Sequence, residues 1–239
     1  TCDEEIGHGV DFVDMQRLGA MAAYTVDGGQ ANEIDVETFS ADLATITIRG
    51  VNIHPSIAKD RMVNAMRVAG SFLDRLPRDL SPEKTAGRDG FIHPYSLSGG
   101  VAEVTIHVIL RDFETAQLAQ QQQLLHSLSE QLGQENPEVT INVSVIPQYR
   151  NMAAGLSREP RAVAYAQLAH ERLGRVAQLT TVRGGTDGSQ LTEKGLPTPN
   201  LSSGQHNPHS PLEWACLDEM VQAAEVLQEL AQVWQESPA

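Results

Sequence analysis

The chain has 239 residues, 41% of them hydrophobic, and sets 31 acidic against 17 basic side chains for a formal charge of -14. That length holds one large domain or two small ones, and the apolar fraction suffices for a packed core, which excludes a disordered chain. The acidic balance repels phosphate backbones and excludes a general nucleic-acid binder, and no apolar run approaches the roughly 20 residues that span a bilayer.

Cys2 and Cys216 stand far apart, which is no disulfide framework and fits a reducing compartment. The opening TCDEEIGHG has no basic region followed by an apolar stretch, so a cytoplasmic protein is expected. It also has no methionine, and a processed or partial start is expected.

A first short strand is predicted in AYTVDGG, ending at a turn. In ADLATITIRG, Ala44, Ile46 and Ile48 alternate with Thr45, Thr47 and Arg49, which predicts a half-buried strand. A helix is predicted from about Asp60, with Met62, Met66, Ala69, Leu73 and Leu76 as one apolar stripe and Pro77 as its stop. A shorter strand follows between Phe91 and Leu97. In GGVAEVTIHVILRD, Val104, Ile106, Val108 and Leu110 share one strand face, and Glu103, Thr105, His107 and Arg111 the other. Leu118, Leu125, Leu128 and Leu132 then mark a second helix, whose glutamine run is expected on the solvent face. PEVTINVSVI alternates again through Val139, Ile141, Val143 and Val145. The order strand, helix, strand, strand, helix, strand predicts a ferredoxin-like α+β domain over residues 37–150.

The flanks predict an α/β layer: a helix from Ala162 to Leu173, a strand from Gln178 to Val182, a glycine-rich loop, and a strand from Pro197 to Leu201. A C-terminal helix closes the chain, with Leu217, Met220, Ala224, Leu227, Leu230 and Trp234 as its stripe. The small domain is therefore read as inserted between residues 1–36 and 151–239, which are few for a complete doubly wound sheet. A preceding segment is expected to complete it.

Four stretches could carry chemistry. The acids of DEEIG either favour a helix dipole or divide proton transfer and metal ligation between them. Asp27 in YTVDGG is a turn residue or a carboxylate at a strand end, where α/β proteins build sites. RGGTDGSQ is a capped glycine turn or an anion-binding loop, with Arg183 as a planar fork. In SSGQHNPHSP, His206 and His209 lie in a loop where periodicity makes neither a core residue, and one metal ligand is expected.

Taken in order, DEEIG, YTVDGG, NIHP, RDF, RGGTDG and NPH resemble the co-catalytic zinc exopeptidases and deacylases that carry an inserted lid domain, and among them the tripeptide aminopeptidases. The resemblance implies that Glu4 is the general base, that Glu5 is a zinc ligand, that Asp27 is a ligand of the other zinc and that His209 is the C-terminal histidine ligand. It implies a substrate-binding loop at Arg183, Gly185, Thr186 and Asp187, and lid groups His54 and Arg111 that approach the active site, with His54 reaching that of a partner subunit. A homodimer through the lid and a small peptide substrate follow from the same resemblance, as does a zinc pair that cobalt or manganese could replace. A related dipeptidase, carboxypeptidase or N-acyl-amino-acid deacylase is the alternative enzyme, and a dimerising module without activity the non-enzymatic one.

The sequence departs from that family in lacking a His-x-Asp pair and a bridging aspartate ahead of DEE, so the chain as given is expected to bind metal weakly and to hydrolyse little. It also has His206 where the related enzymes have an aromatic residue and Leu212 where they have a histidine, differences expected to alter substrate preference.

Overall fold

The computed structural model describes residues 9–236 and divides the chain into two units. One runs to Phe39 and resumes at Tyr149; the other is Ser40–Gln148. Cys2, Glu4, Glu5 and His8 lie outside the described residues. The first unit begins with α1 (Met15–Leu18), β1 (Thr25–Gly28) and β2 (Glu33–Thr38). The second holds β3 (Ser40–Arg49), α2 (Ala65–Arg75), β4 (Phe91–Gly99), β5 (Glu103–Asp112), α3 (Thr115–Glu135) and β6 (Thr140–Tyr149), the last reaching one residue past its limit. The chain then returns to the first unit through α4 (Ala153–Leu156), α5 (Arg161–Arg172), β7 (Gln178–Val182), α6 (Asp187–Glu193) and β8 (Asn200–Ser202). A small hairpin of β9 (Gln205–His206) and β10 (Trp214–Ala215) leads into α7 (Leu217–Glu236).

In the second unit the strands lie in the order β4-β5-β3-β6. β3 and β5 pair antiparallel from Ser40 opposite Asp112 to Arg49 opposite Glu103. That register puts Ala44, Ile46 and Ile48 beside Val104, Ile106 and Val108 on one face, where all are buried. Helices α2 and α3 cover this face with Val68, Phe72, Leu118, Leu125 and Leu132. This is the ferredoxin-like arrangement that the element order predicts. Two details differ. α2 starts only at Ala65, because Asn64 caps it by accepting from the Met66 N–H at 2.9 Å. Its inner face is Ala65, Val68, Ala69 and Phe72, while Met66 is 52% exposed. Gln121 points inward rather than to solvent and donates to the Arg111 carbonyl at 3.1 Å.

The first unit has a mixed sheet, β1-β8-β2-β7. β1 runs parallel to β8 and β2 parallel to β7, but β2 and β8 are antiparallel. β2 has no counterpart in the sequence reading. Ile34 and Leu201 of the sheet pack against Ala166 and Ala169 of α5 and Val226, Leu230 and Val233 of α7. The α7 stripe is therefore rotated from its expected phase, with Leu217 73% and Met220 49% exposed. His170, expected on the surface, is buried, and its Nδ1 lies 2.8 Å from the Ala166 carbonyl oxygen one helical turn back. No helix among the described residues is long and apolar enough to cross a membrane.

Tyr24 ties β1 to both helices. Its hydroxyl donates to the Ala162 carbonyl at 2.8 Å and accepts from Trp234 Nε1 at 2.9 Å. Burial pushes its pKa from 10.0 up to about 12. A group raised on folding stabilises fully below its unfolded pKa, and that stabilisation is lost as pH climbs through the folded value. Urea midpoints measured from pH 9 to 12 should therefore fall more steeply in the native chain than in Tyr24→Phe; parallel curves would show that this phenol titrates normally.

Candidate functional site

Asp27 stands at the end of β1, on the first unit's sheet, with its side chain exposed. The β1–β8 register jumps from Val26 opposite Leu201 to Gly28 opposite Ser202, so Asp27 is the residue inserted at a β-bulge. Bulges of this kind re-aim side chains beside active sites. Gly28 is required there, because a Cβ would lie 2.8 Å from the Leu201 carbonyl oxygen. Gln205, on β9, donates its side-chain amide to Asp27 Oδ1 at 2.8 Å and to the Asp27 carbonyl at 2.9 Å.

The loop between β9 and β10 carries His209. Its backbone is left-handed, with φ at 59° and Asn207 at 52°, a conformation uncommon outside glycine and concentrated at functional positions. The His209 N–H donates to Glu213 Oε2 at 2.9 Å, and the Asn207 amide donates to the Leu212 carbonyl at 3.3 Å. The ends of the loop are held from below. His206 stacks on Trp214 with ring centroids 4.1 Å apart and planes 10° apart, and its Nε2 lies 2.6 Å from Glu219 Oε2 on α7. His206 therefore serves the hairpin's attachment to α7, and His209 is the histidine presented on the exposed loop. The Gln205 contacts bring the hairpin that carries His209 against Asp27.

The β7–α6 loop presents the other predicted residues. Arg183 lies with Cζ 5.2 Å from the Phe39 ring centroid. Gly185 lies so close to Tyr149 that a Cβ would be 2.6 Å from its ring. Thr186 caps α6 by accepting from the Ser189 N–H at 3.3 Å, while the Ser189 hydroxyl accepts from the Thr186 N–H at 3.1 Å. Asp187 begins the helix, where a carboxylate favours the dipole, and is 6% exposed. Gly185 thus packs closely on Tyr149, and Thr186 and Asp187 begin α6.

His54 and Arg111 belong to the second unit. His54 caps the 3-10 turn Pro55–Ile57, its Nδ1 accepting from the Ser56 N–H at 3.3 Å and lying 2.7 Å from the Ser56 hydroxyl. An Nδ1 that accepts leaves Nε2 as the protonated, outward nitrogen of the neutral ring. Arg111 stands on β5, on the sheet face away from the helices, with Cζ 6.0 Å from the Phe91 ring centroid.

The donor chemistry of Asp27 and His209, a carboxylate and an imidazole, suits zinc, cobalt or manganese. Among the described residues no three His, Cys, Asp or Glu side chains gather as a metal site; Glu4 and Glu5 lie outside them. Sequence reading missed Asn200 and Gln205, which hydrogen-bond Asp27, and Asp35, which accepts from Asn200. An asparagine at the head of an apolar strand in PTPNLSS is the one signal that could have marked them.

Residues 36–140 match the family described as Peptidase dimerisation domain. Over 236 residues the chain is 40% identical to Peptidase T of Geobacillus kaustophilus, a match covering 99% of this chain and 57% of that protein. Peptidase T of Bacillus subtilis is likewise 40% identical, over 97% of this chain and 56% of its own length. The chain thus spans little more than half the length of the curated relatives it matches. Among solved structures, a tripeptidase from Staphylococcus aureus superposes with a TM-score of 0.84 at 21% identity, covering 98% of this chain and 62% of that one. The YXEP protein of Bacillus subtilis, described as a dinuclear metal binding peptidase of the M20 family, shares the fold at a TM-score of 0.68 and 16% identity, over 98% of this chain and 64% of that one.

Proposed function

From the premise that this chain is a relative of Peptidase T along 99% of its length, we propose that it belongs to a metal-dependent aminopeptidase that releases the N-terminal residue of small peptides, tripeptides above all. The observation that carries the reading is the hairpin contact: Gln205 joins the element bearing His209 to the bulged Asp27. In this reading Glu5, Asp27 and His209 would be among the ligands of a pair of zinc ions. When bound, the ions acidify a water enough to attack a peptide carbonyl at neutral pH. Glu4 would take a proton from the attacking water and later deliver it to the departing amine. The exposed Nε2–H of His54, supplied across a homodimer of the lid domain, donates to the oxyanion as it develops. Arg183 offers a planar fork to the substrate carboxylate.

Paired tripeptides test the assignment in the polypeptide that carries this chain. With zinc or cobalt present, a tripeptide with a free amine should be cleaved and its N-acetylated counterpart should not. Preference for the acetylated substrate would make the protein a deacylase. For the dimer, removal of residues 37–150 should leave a monomer by light scattering, whereas a persistent dimer would place the interface elsewhere.

A further inference from the structure

Beneath Asp27 lies a polar pair that no core requires. Asn200 is 1% exposed and Asp35 5%. Asp35 accepts from the Thr180 hydroxyl at 2.7 Å through Oδ1 and from Asn200 Nδ2 at 2.8 Å through Oδ2. The amide of Asn200 is thereby oriented, since a flipped amide would set its oxygen against the Asp35 carboxyl group. Its Oδ1 is left facing β1, where it accepts from the Asp27 N–H at 3.0 Å and from the Thr25 hydroxyl at 2.9 Å. Asp27 is the inserted residue of the bulge, and its N–H is thus held by a side chain instead of by the strand ladder. A second register jump falls in β2 between Asp35 and Glu37, on the same network.

Replacing both partners of a buried hydrogen-bonded pair by apolar groups is nearly neutral for stability. A fully satisfied polar network does something else: it admits one arrangement and rejects its neighbours. We propose that Asp35 and Asn200 form a positioning relay that fixes the β1 bulge and so aims the Asp27 carboxylate. Asn200 is then a positioning residue for a metal ligand, and Asp35 is the group that keeps its amide the right way round. The relay deepens the metal reading above and rests on it for its purpose, but its geometry lies within one unit and can be tested separately.

The test uses Asn200→Ala, Asn200→Asp and Asp35→Asn, with two readouts. The first is hydrogen exchange at the Asp27 amide in this chain. The second is Co²⁺ affinity, by calorimetry, in the polypeptide that carries it. Asn200→Ala should speed exchange at Asp27 at least about tenfold, as expected for a removed hydrogen bond, and should weaken Co²⁺ binding by about 10- to 100-fold, the usual cost of losing an outer-shell partner. Asn200→Asp keeps an acceptor for the Asp27 N–H but sets carboxyl against carboxyl, and should fail as the alanine variant does. Asp35→Asn, nearly isosteric, should lose less than either and keeps the test open should the alanine variant not fold. Faster unfolding or a lower melting temperature with unchanged Asp27 exchange and unchanged Co²⁺ affinity would overturn the relay and leave the pair a stability element. Native polypeptide that binds no Co²⁺ would overturn the metal reading instead, and exchange at Asp27 would then decide the relay.

Discussion

Replacing Glu4 by glutamine is expected to slow tripeptide hydrolysis by about 10²- to 10⁴-fold, the span that a positioned general base contributes, while the metal content stays unchanged. Glutamine matches the size of glutamate and keeps a hydrogen-bonding oxygen, so the active site retains its shape. What it loses is the ability to accept a proton from the attacking water and pass it to the amine. Glu5→Gln should act differently, lowering metal content and activity together, because a neutral amide is a poor ligand for a hard or borderline cation. The contrast between neighbours is the informative part. Loss of metal in Glu4→Gln, with metal retained in Glu5→Gln, would exchange the two roles. The measurement is kcat on a tripeptide beside metal per chain by atomic emission.

The second large effect is structural. Phe72 is fully buried between α2 and the sheet of the second unit, within the cluster that holds Ile46, Ile106 and Leu125. Phe72→Ala removes a ring from a close-packed core and should destabilise that unit by about 3–5 kcal/mol. Met66, six residues earlier on the same helix, is 52% exposed, and Met66→Ala should change stability by no more than about 0.5 kcal/mol. Urea unfolding of the two variants measures both. Equal losses would mean that α2 packs in the phase its sequence stripe suggests, with Met66 inward.

That phase error shows what the sequence conceals. In β3 and β5 the alternation is strict, and inward residues such as Ile46 and Ile106 could be named from spacing alone. Strands repeat every two residues, so only two phases exist and the apolar one is obvious. A helix offers a continuous choice of phase. In α2, Met62, Met66 and Leu73 compete with Val68 and Phe72 for the stripe, and Asn64 settles the matter by starting the helix after Met62. α7 repeats the difficulty: Leu217, Met220 and Leu227 lie toward solvent, while Val226, Leu230 and Val233 face Ile34 and Leu201. Strand β2 went unseen because Glu33, Asp35 and Glu37 give EIDVET a polar surface on paper, yet Asp35 is buried and satisfied by Thr180 and Asn200.

The candidate site was legible in part. DGG marks a strand end with close backbone approach, and Gly28 bears that out against the Leu201 carbonyl. The histidines of QHNPH could not be separated by spacing. His206 turns inward to Trp214 and Glu219 because it pairs with Trp214 across a hairpin, a fact that seven intervening residues hide. The partners of Asp27 were invisible for the same reason: Asn200 and Gln205 are remote in sequence and reach it only through the β1–β8 pairing.

The most direct test is an anomalous diffraction map at the zinc edge, from crystals of the polypeptide that carries this chain grown with zinc. Two peaks about 3.5–4 Å apart are expected, with an Asp27 oxygen, a Glu5 oxygen and a His209 nitrogen each about 2.0–2.2 Å from one of them. Zinc bound away from Asp27 and His209, or no zinc where these two residues lie, would contradict the account.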